Sequence, residues 1–148
     1  CKTLAEVAGV IAMTAILLVP VALEMLYEQL TSHNLFAALG GVLVEVAERS
    51  GRLRAQGPFA HSILAGTVGA SCFPLMIGLW RRGVRLARLG AVVCFLMVLA
   101  SASSGPLASL LAGIGALGAW RWRHLTRELR IAAVVGYILF FLQPFAKR

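Results

Sequence analysis

Residues 89–120 contain no Lys, Arg, Asp or Glu and read LGAVVCFLMVLASASSGPLASLLAGIGALGAW. A membrane-spanning helix needs about 20 mostly apolar residues. At about 1.5 Å of rise per residue, this run is too long for a single span. The segment Ser101–Pro106 divides it, because clusters of Ser, Gly and Pro are typical of turns. The sequence therefore predicts a hairpin of two short spans, at about 87–103 and 106–121.

Three further uncharged runs flank this hairpin, at residues 7–23, 55–80 and 131–146. The chain of 148 residues is 59% hydrophobic and only 14% charged, more apolar surface than a water-soluble domain of this size can cover. The fold class is predicted to be all-α, a polytopic integral membrane bundle of about five transmembrane helices forming a single membrane domain over 1–148. The remaining spans are expected at about 4–26, 62–80 and 131–143, with a polar outer loop at 27–61.

The net charge of +8 is concentrated next to the apolar runs. This placement is typical of orientation determinants rather than of a nucleic-acid-binding surface, so no nucleic-acid partner is expected. The hairpin returns both basic clusters to the cytoplasm and places loop 27–61 and the Ser101–Pro106 turn outside. The two clusters comprise Arg81, Arg82, Arg85, Arg88, Arg121, Arg123, Arg127 and Arg130.

Within the outer loop, residues 37–50 are predicted to form a short amphipathic helix, because Leu39, Val42 and Val46 share one face. On the following span, Ala108, Ala112 and Ala116 recur at every fourth position. This spacing is typical of close helix packing in membranes. The three cysteines, Cys1, Cys72 and Cys94, have no metal-ligand spacing and are interpreted as small lipid- or helix-facing residues.

Arg52, Arg54 and His61 converge on the start of the second span, and Gly57-Pro58 bends the chain between them. Arginine presents a planar fork of donors that suits phosphate, and histidine can move a proton near neutral pH. The alternative is that the arginines anchor to lipid headgroups and His61 satisfies a loop carbonyl. Spacing alone favours this alternative.

Other polar residues are weaker candidates for a site. Glu24 and Glu28 could act as a base or bind a cation, but such residues are more often interfacial caps. Ser103 and Ser104 could bind a polar head, although a small-residue turn is the simpler interpretation. The sequence contains no nucleophile elbow, phosphate-binding loop, metal-ligand cluster or dinucleotide fingerprint, so no cofactor or metal is expected.

The string Arg54-x-x-Gly57-x-Phe59-x-His61-Ser62, followed by Ile63–Thr67, resembles the outer-loop motif of the O-antigen ligase/polymerase superfamily. The stretches Asn34–Gly41 and Ser101–Leu107 resemble further segments of its exopolysaccharide and O-antigen polymerases. The resemblance covers roughly residues 15–130. Two departures are Ser62, where many relatives have Pro, and Ser104, where Ser-Arg-Gly often places an arginine.

This resemblance implies a multi-pass glycosyltransferase of the bacterial inner (cytoplasmic) membrane that acts in lipopolysaccharide or exopolysaccharide biosynthesis. Such enzymes join undecaprenyl-pyrophosphate-linked oligosaccharide donors to glycan or lipid-linked acceptors outside the membrane. By resemblance, Arg54 and His61 are the expected catalytic residues, and Arg52, Arg54, Gly57, Ser103 and Ser104 the expected substrate-binding residues. The remaining spans of the family are expected beyond residue 148, so this piece alone is expected to be inactive. The alternatives are a piece of a transporter or flippase, with Glu24 as an ion site, or a non-catalytic membrane scaffold.

Overall fold

The computed structural model describes residues 3–42, 48–49, 51–120, 128, 131–132 and 134–135. The all-α fold class is confirmed, since helices dominate this part of the chain. A 3₁₀ helix (Leu35–Leu39) and a two-residue antiparallel ribbon connect the first two helices. The described elements are α1 (Leu4–Thr31), β1 (Glu48–Arg49), β2 (Arg52–Leu53), α2 (Ser62–Trp80), α3 (Arg85–Ala100) and α4 (Ser104–Ala119).

The chain divides into two compact units, Cys1–Ile114 and Gly115–Arg148. The first unit contains α1, α2, α3 and the beginning of α4. In the second unit, the predicted fifth span at 131–143 is described only as helical backbone at 131–132 and 134–135. The arginines of the second basic cluster lie outside the described residues.

Two of the described helices are long and apolar enough to cross a membrane, Ala5–Thr31 within α1 and α2 itself. Many apolar side chains of α1 face outward, and Leu17 is 69% exposed. The helices α3 and α4 have 16 residues each, about 24 Å of helix against a hydrocarbon core of about 30 Å. Crossings beyond the two helices therefore stay a prediction.

Helix α1 ends at Thr31, five residues beyond the predicted end at Leu26. Its start is capped by Thr3, whose side chain accepts a hydrogen bond from the backbone N–H of Glu6. At its other end, Ser32 adopts a left-handed conformation and its N–H bonds to the carbonyl of Glu28. The helix continues past the apolar run because its last turns carry polar side chains that bind the following loop.

The amphipathic helix predicted over residues 37–50 is wrong for the part of this range that the structure describes, residues 37–42 and 48–49. The chain forms a 3₁₀ helix that ends at Leu39, and Gly40 and Gly41 then have φ values of 79° and 87°. Glu48 and Arg49 are extended and pair with β2 in the register Glu48 with Leu53 and Arg49 with Arg52. Two glycines in the left-handed region interrupt the helix that the apolar spacing suggested.

The predicted break between the two short helices is confirmed, since α3 ends at Ala100 and α4 begins at Ser104. The intervening turn includes Ala102 at a φ of 45°. Pro106 lies in the first turn of α4, where a missing N–H costs no helical hydrogen bond.

Close packing occurs mainly between α2 and α3 and between α1 and α3. A Cβ added to Gly69 of α2 would lie 2.7 Å from the carbonyl oxygen of Cys94. A Cβ added to Gly90 of α3 would lie 2.7 Å from the Cβ of Ala15. Ala108 and Ala112, expected to pack against another helix, are exposed. The close approach of helices therefore depends on other small residues, those of α2 and α3.

Candidate functional site

A cleft of about 330 Å³ lies where β2, the start of α2 and the α3–α4 turn meet. Its lining contains two arginines, two serines and no carboxylate, which makes it a cationic cleft that also carries hydroxyl groups. We call it the arginine cleft. The residues that line it are Arg52, Arg54, Ile63, Ala102, Ser103, Ser104 and Gly105.

Arg54 is half-buried and oriented by a hydrogen bond across the cleft. Its Nη2 donates to the Oγ of Ser103 at 2.6 Å, and that hydroxyl donates to the carbonyl of Ser101 at 2.8 Å. The Nε of Arg54 is buried and has no hydrogen-bond partner among the described residues. The Arg54 guanidinium keeps further N–H donors besides the one bound to Ser103, and such donors suit an anion because charge-assisted hydrogen bonds are stronger than neutral ones.

The start of α4 contributes donors to the same cleft. The first N–H groups of a helix have no partner within the helix, and they attract anions. The hydroxyl of Ser103, the residue before α4, bonds to Ser101 and Arg54 and not to the helix terminus. Ser104 and Gly105, the first two residues of α4, line the cleft, and the Ser103 hydroxyl does not cap them. Together with Arg54, this arrangement fits a phosphate-sized anion.

The segment that carries the two arginines is tied to the end of α3. The N–H of Ala55 donates to the carbonyl of Ala100 at 3.1 Å. The side-chain amide of Gln29 donates to the carbonyls of Leu53 and Ala100, at 2.8 and 2.7 Å. Gln29 thereby connects α1 to both sides of the arginine cleft and sets the position of β2 relative to α3.

A buried polar cluster of Glu24, Glu28, Asn34 and Gly57 anchors the rest of the loop. The Oε2 of Glu28 accepts the backbone N–H groups of Gln56 and Gly57, both at 2.8 Å. The Oε1 of Glu24 accepts the N–H of Leu35, and the Asn34 amide donates to the carbonyl of Gly57 at 2.8 Å. One oxygen of each carboxylate is buried without a partner among the described residues. The interpretation of both glutamates as interfacial caps is wrong, because both are buried and bind loop backbone.

Gly57 lies in this polar cluster and not in the lining of the arginine cleft. Its φ of 58° favours glycine, and an added Cβ would lie 3.2 Å from the Cγ of Met25. His61 precedes α2 as its N-terminal cap residue, is exposed, and makes no side-chain capping bond. The structure thus brings Arg52, Arg54, Ser103 and Ser104 together and leaves the other two predicted site residues outside the cleft.

Gln29 and Ile63 contribute to the site and were missed by the sequence reasoning. Ile63 lies in the motif segment but carries no chemistry that would mark it. Gln29 sits at the polar end of an apolar helix, where a solvent-facing side chain is the usual expectation. A second cavity of about 370 Å³ adjoins the first through Arg52 and Ala102 and is lined in part by Gln29.

The cysteines and the metal question add little to the site. Cys94 is buried and Cys72 is half-buried, both with free thiols. Over the described ranges, no group of three or more His, Cys, Asp or Glu side chains comes together in a way that could hold a metal ion.

Comparison with known proteins gives no relative: no protein-family model, curated protein or solved structure matches this chain.

Proposed function

We propose that this chain is part of a glycosyltransferase of the bacterial cytoplasmic membrane. The enzyme polymerises or ligates glycan units carried on undecaprenyl pyrophosphate at the outer side of that membrane. In this proposal the arginine cleft holds the pyrophosphate. The observation that carries it is Arg54, half-buried in the lining of this cationic cleft and oriented there by Ser103.

The cleft suits the leaving group of such a reaction. A hydroxyl oxygen of the acceptor sugar attacks the anomeric carbon of the donor, and the bond from that carbon to the pyrophosphate oxygen breaks. Undecaprenyl pyrophosphate leaves with a developing negative charge. Arg54, Arg52 and the N–H groups at the start of α4 would stabilise this charge, which is the kind of electrostatic stabilisation that contributes most to many enzymes. The hydroxyl proton passes to a base.

His61 enters the proposal only on the acceptor side. It lies two residues before Ile63, which lines the cleft, but it is not itself part of the lining. Its exposed position is compatible with contact to an acceptor arriving from water, where a neutral imidazole could take the hydroxyl proton. We therefore assign the phosphate to the arginines and the proton to His61.

The apolar helices support a lipid-linked donor. Two described helices are long and apolar enough to cross a membrane, and α2 begins next to the arginine cleft. A polyprenyl chain would then lie along the helices while its pyrophosphate reaches the cleft from the side. The motif resemblance around Arg54–Thr67 points to the same substrate class.

The test is replacement of Arg54 by Ala and by Lys in the host cell, with membrane protein levels checked by immunoblot. We expect polymer to be lost and undecaprenyl-linked units to accumulate. Lys should rescue only in part, because its ammonium lacks the bidentate fork of a guanidinium. Arg82→Ala is the matched control, since Arg82 is exposed and lies far along the chain from the cleft. Unchanged polymer in Arg54→Ala at equal protein level would overturn the proposal.

The side on which the glycan units accumulate separates this proposal from the alternatives. A blocked transferase leaves lipid-linked units on the outer face, where a membrane-impermeant oxidant or glycosidase can reach them. A blocked flippase or transporter leaves them on the cytoplasmic face. A non-catalytic scaffold predicts no effect of single cleft substitutions at normal protein levels.

A further inference from the structure

A second feature lies at the opposite end of the α2–α3 pair from the arginine cleft. Residues 81–84 form the turn that joins the two helices, and Gly83 adopts a φ of 89° there. Arg81, Arg82 and Arg85 are exposed at this turn. The sequence contains no Asp or Glu between Glu48 and Glu128, so α2, the turn and α3 supply no carboxylate to this basic end.

An apolar groove of about 280 Å³ runs from this basic end along the contact between α2 and α3. Phe73, Ile77 and Trp80 line it from α2, and Ala91, Val92 and Phe95 line it from α3, with Arg88 at one end. Trp80 and Phe73 are seven residues apart, as are Arg88 and Phe95. The groove therefore follows both antiparallel helices for about 10 Å. The Phe73 and Phe95 rings, 6.5 Å apart between centroids, lie at the end of the groove away from the turn.

Arg88 places a positive charge at the end of this apolar groove that is nearest the α2–α3 turn. Its guanidinium carbon lies 5.6 Å from the centre of the Trp80 ring, a cation–π distance. This contact holds the guanidinium near the groove, and the Arg88 side chain is exposed. Val92 and Trp80 are 53% and 45% exposed, so the groove is accessible from the outside of the helix pair.

We propose that this groove binds one anionic phospholipid. An acyl chain lies between α2 and α3 as far as the two phenylalanine rings, and the headgroup phosphate binds Arg88. The apolar lining selects a hydrocarbon chain, and the positive charge of Arg88 at its mouth selects a net negative headgroup. Tryptophan at this boundary is typical of membrane–water interfaces. The proposal does not depend on the function assigned to the arginine cleft.

The test uses the full chain, purified in detergent and titrated with phosphatidylglycerol or phosphatidylcholine of the same acyl chains, with bound lipid counted by native mass spectrometry. Arg88→Gln removes the charge at the groove, and Val92→Trp fills the groove without changing charge. Arg82→Gln is the matched control, because it removes the same charge from an exposed residue that does not line the groove.

We expect the unmodified chain to prefer phosphatidylglycerol. Arg88→Gln should lower that affinity by about fivefold or more, the scale of one arginine near an anionic headgroup. Val92→Trp should weaken both lipids, and Arg82→Gln should have a smaller effect than Arg88→Gln. Equal losses in Arg82→Gln and Arg88→Gln would overturn the proposal in favour of general attraction to the basic turn. Unchanged binding in Val92→Trp would show that no chain lies in the groove. Because the two groove variants perturb different side chains, a folding defect in one leaves the other as a test.

Discussion

Replacing Glu28 by alanine tests whether a buried carboxylate holds the loop that carries the arginines. The Oε2 of Glu28 accepts two backbone N–H groups, from Gln56 and Gly57, both at 2.8 Å. The Glu28 side chain is fully buried. In Glu28→Ala both donors lose their acceptor, and a buried unsatisfied donor costs about 1–3 kcal/mol. The free energy of unfolding should therefore fall by about 2–6 kcal/mol.

Glu28→Gln gives an internal comparison. The amide keeps a carbonyl oxygen for the two N–H groups but loses the negative charge. Hydrogen bonds to charged groups contribute about 1.5–3 kcal/mol, against about 0.5–1.5 kcal/mol for neutral ones. Replacing two hydrogen bonds to a charged group by two neutral ones should lower the free energy of unfolding by about 2 kcal/mol in total. We therefore expect the stability order to be glutamate, then glutamine, then alanine.

The assay follows thermal unfolding in detergent with a fluorogenic thiol reagent. Cys94 is fully buried and serves as the reporter in a background where Cys1 and Cys72 are replaced by serine. For a chain of this size, 1 kcal/mol corresponds to about 2–4 °C in Tm, so Glu28→Ala should lower Tm by at least about 4 °C. Leu30→Ala is the control, because Leu30 lies two residues after Glu28 in α1 and is 86% exposed. A Tm of Glu28→Ala equal to that of the Leu30→Ala control would refute the reasoning.

Three further predictions concern the packing around the arginine cleft. Gly66→Ala should lower Tm by several degrees, because the added Cβ would lie 2.8 Å from the Cβ of Pro106. Gly78→Ala is the comparison, because an added Cβ there would have nothing within 4 Å. This second variant should be neutral or stabilising by up to about 1 kcal/mol. Equal Tm values for the two glycine variants would contradict this packing. Gln29→Leu removes two hydrogen bonds and should lower the free energy of unfolding by about 1–3 kcal/mol, measured by the same thiol assay. A Tm equal to that of the unmodified chain would show that the Gln29 amide does not hold β2 to α3. Ser103→Ala removes the hydroxyl that orients the Arg54 guanidinium. The affinity for inorganic pyrophosphate, measured by calorimetry, should fall by about fivefold with little change in Tm. Unaltered affinity would show that the hydroxyl does not position Arg54.

The sequence predicts the helix pair around Ser101–Pro106 well, because its signals are local. Serine, glycine and proline act on the backbone within a few residues, and their cluster interrupts any helix there. The same local reasoning fails for the described residues of the range 37–50. Apolar spacing suggests a helix, but Gly40 and Gly41 adopt left-handed conformations and the chain after them pairs with β2.

In the candidate site, residue types can likewise be identified from the sequence, whereas their contacts cannot. Arg54 is identifiable from its residue type and from its place at the mouth of an apolar run. Its contact with Ser103, 49 residues away, depends on how α2 and α3 pack. Glu28 is identifiable as a polar residue near a helix end, but its two backbone partners lie in a loop that the helix sequence does not specify.

Composition and periodicity by themselves determine that this chain is helical, rich in apolar surface, and basic at the ends of its apolar runs. These properties sum over neighbouring residues, so they survive without knowledge of the fold. Only the tertiary structure decides that Arg52, Arg54, Ser103 and Ser104 share a cleft, while Gly57 and His61 lie outside it. The physical reason is that side-chain contacts across dozens of residues depend on the separation and rotation of packed helices. Those are set here by close approaches at glycines such as Gly66, which no local pattern reveals.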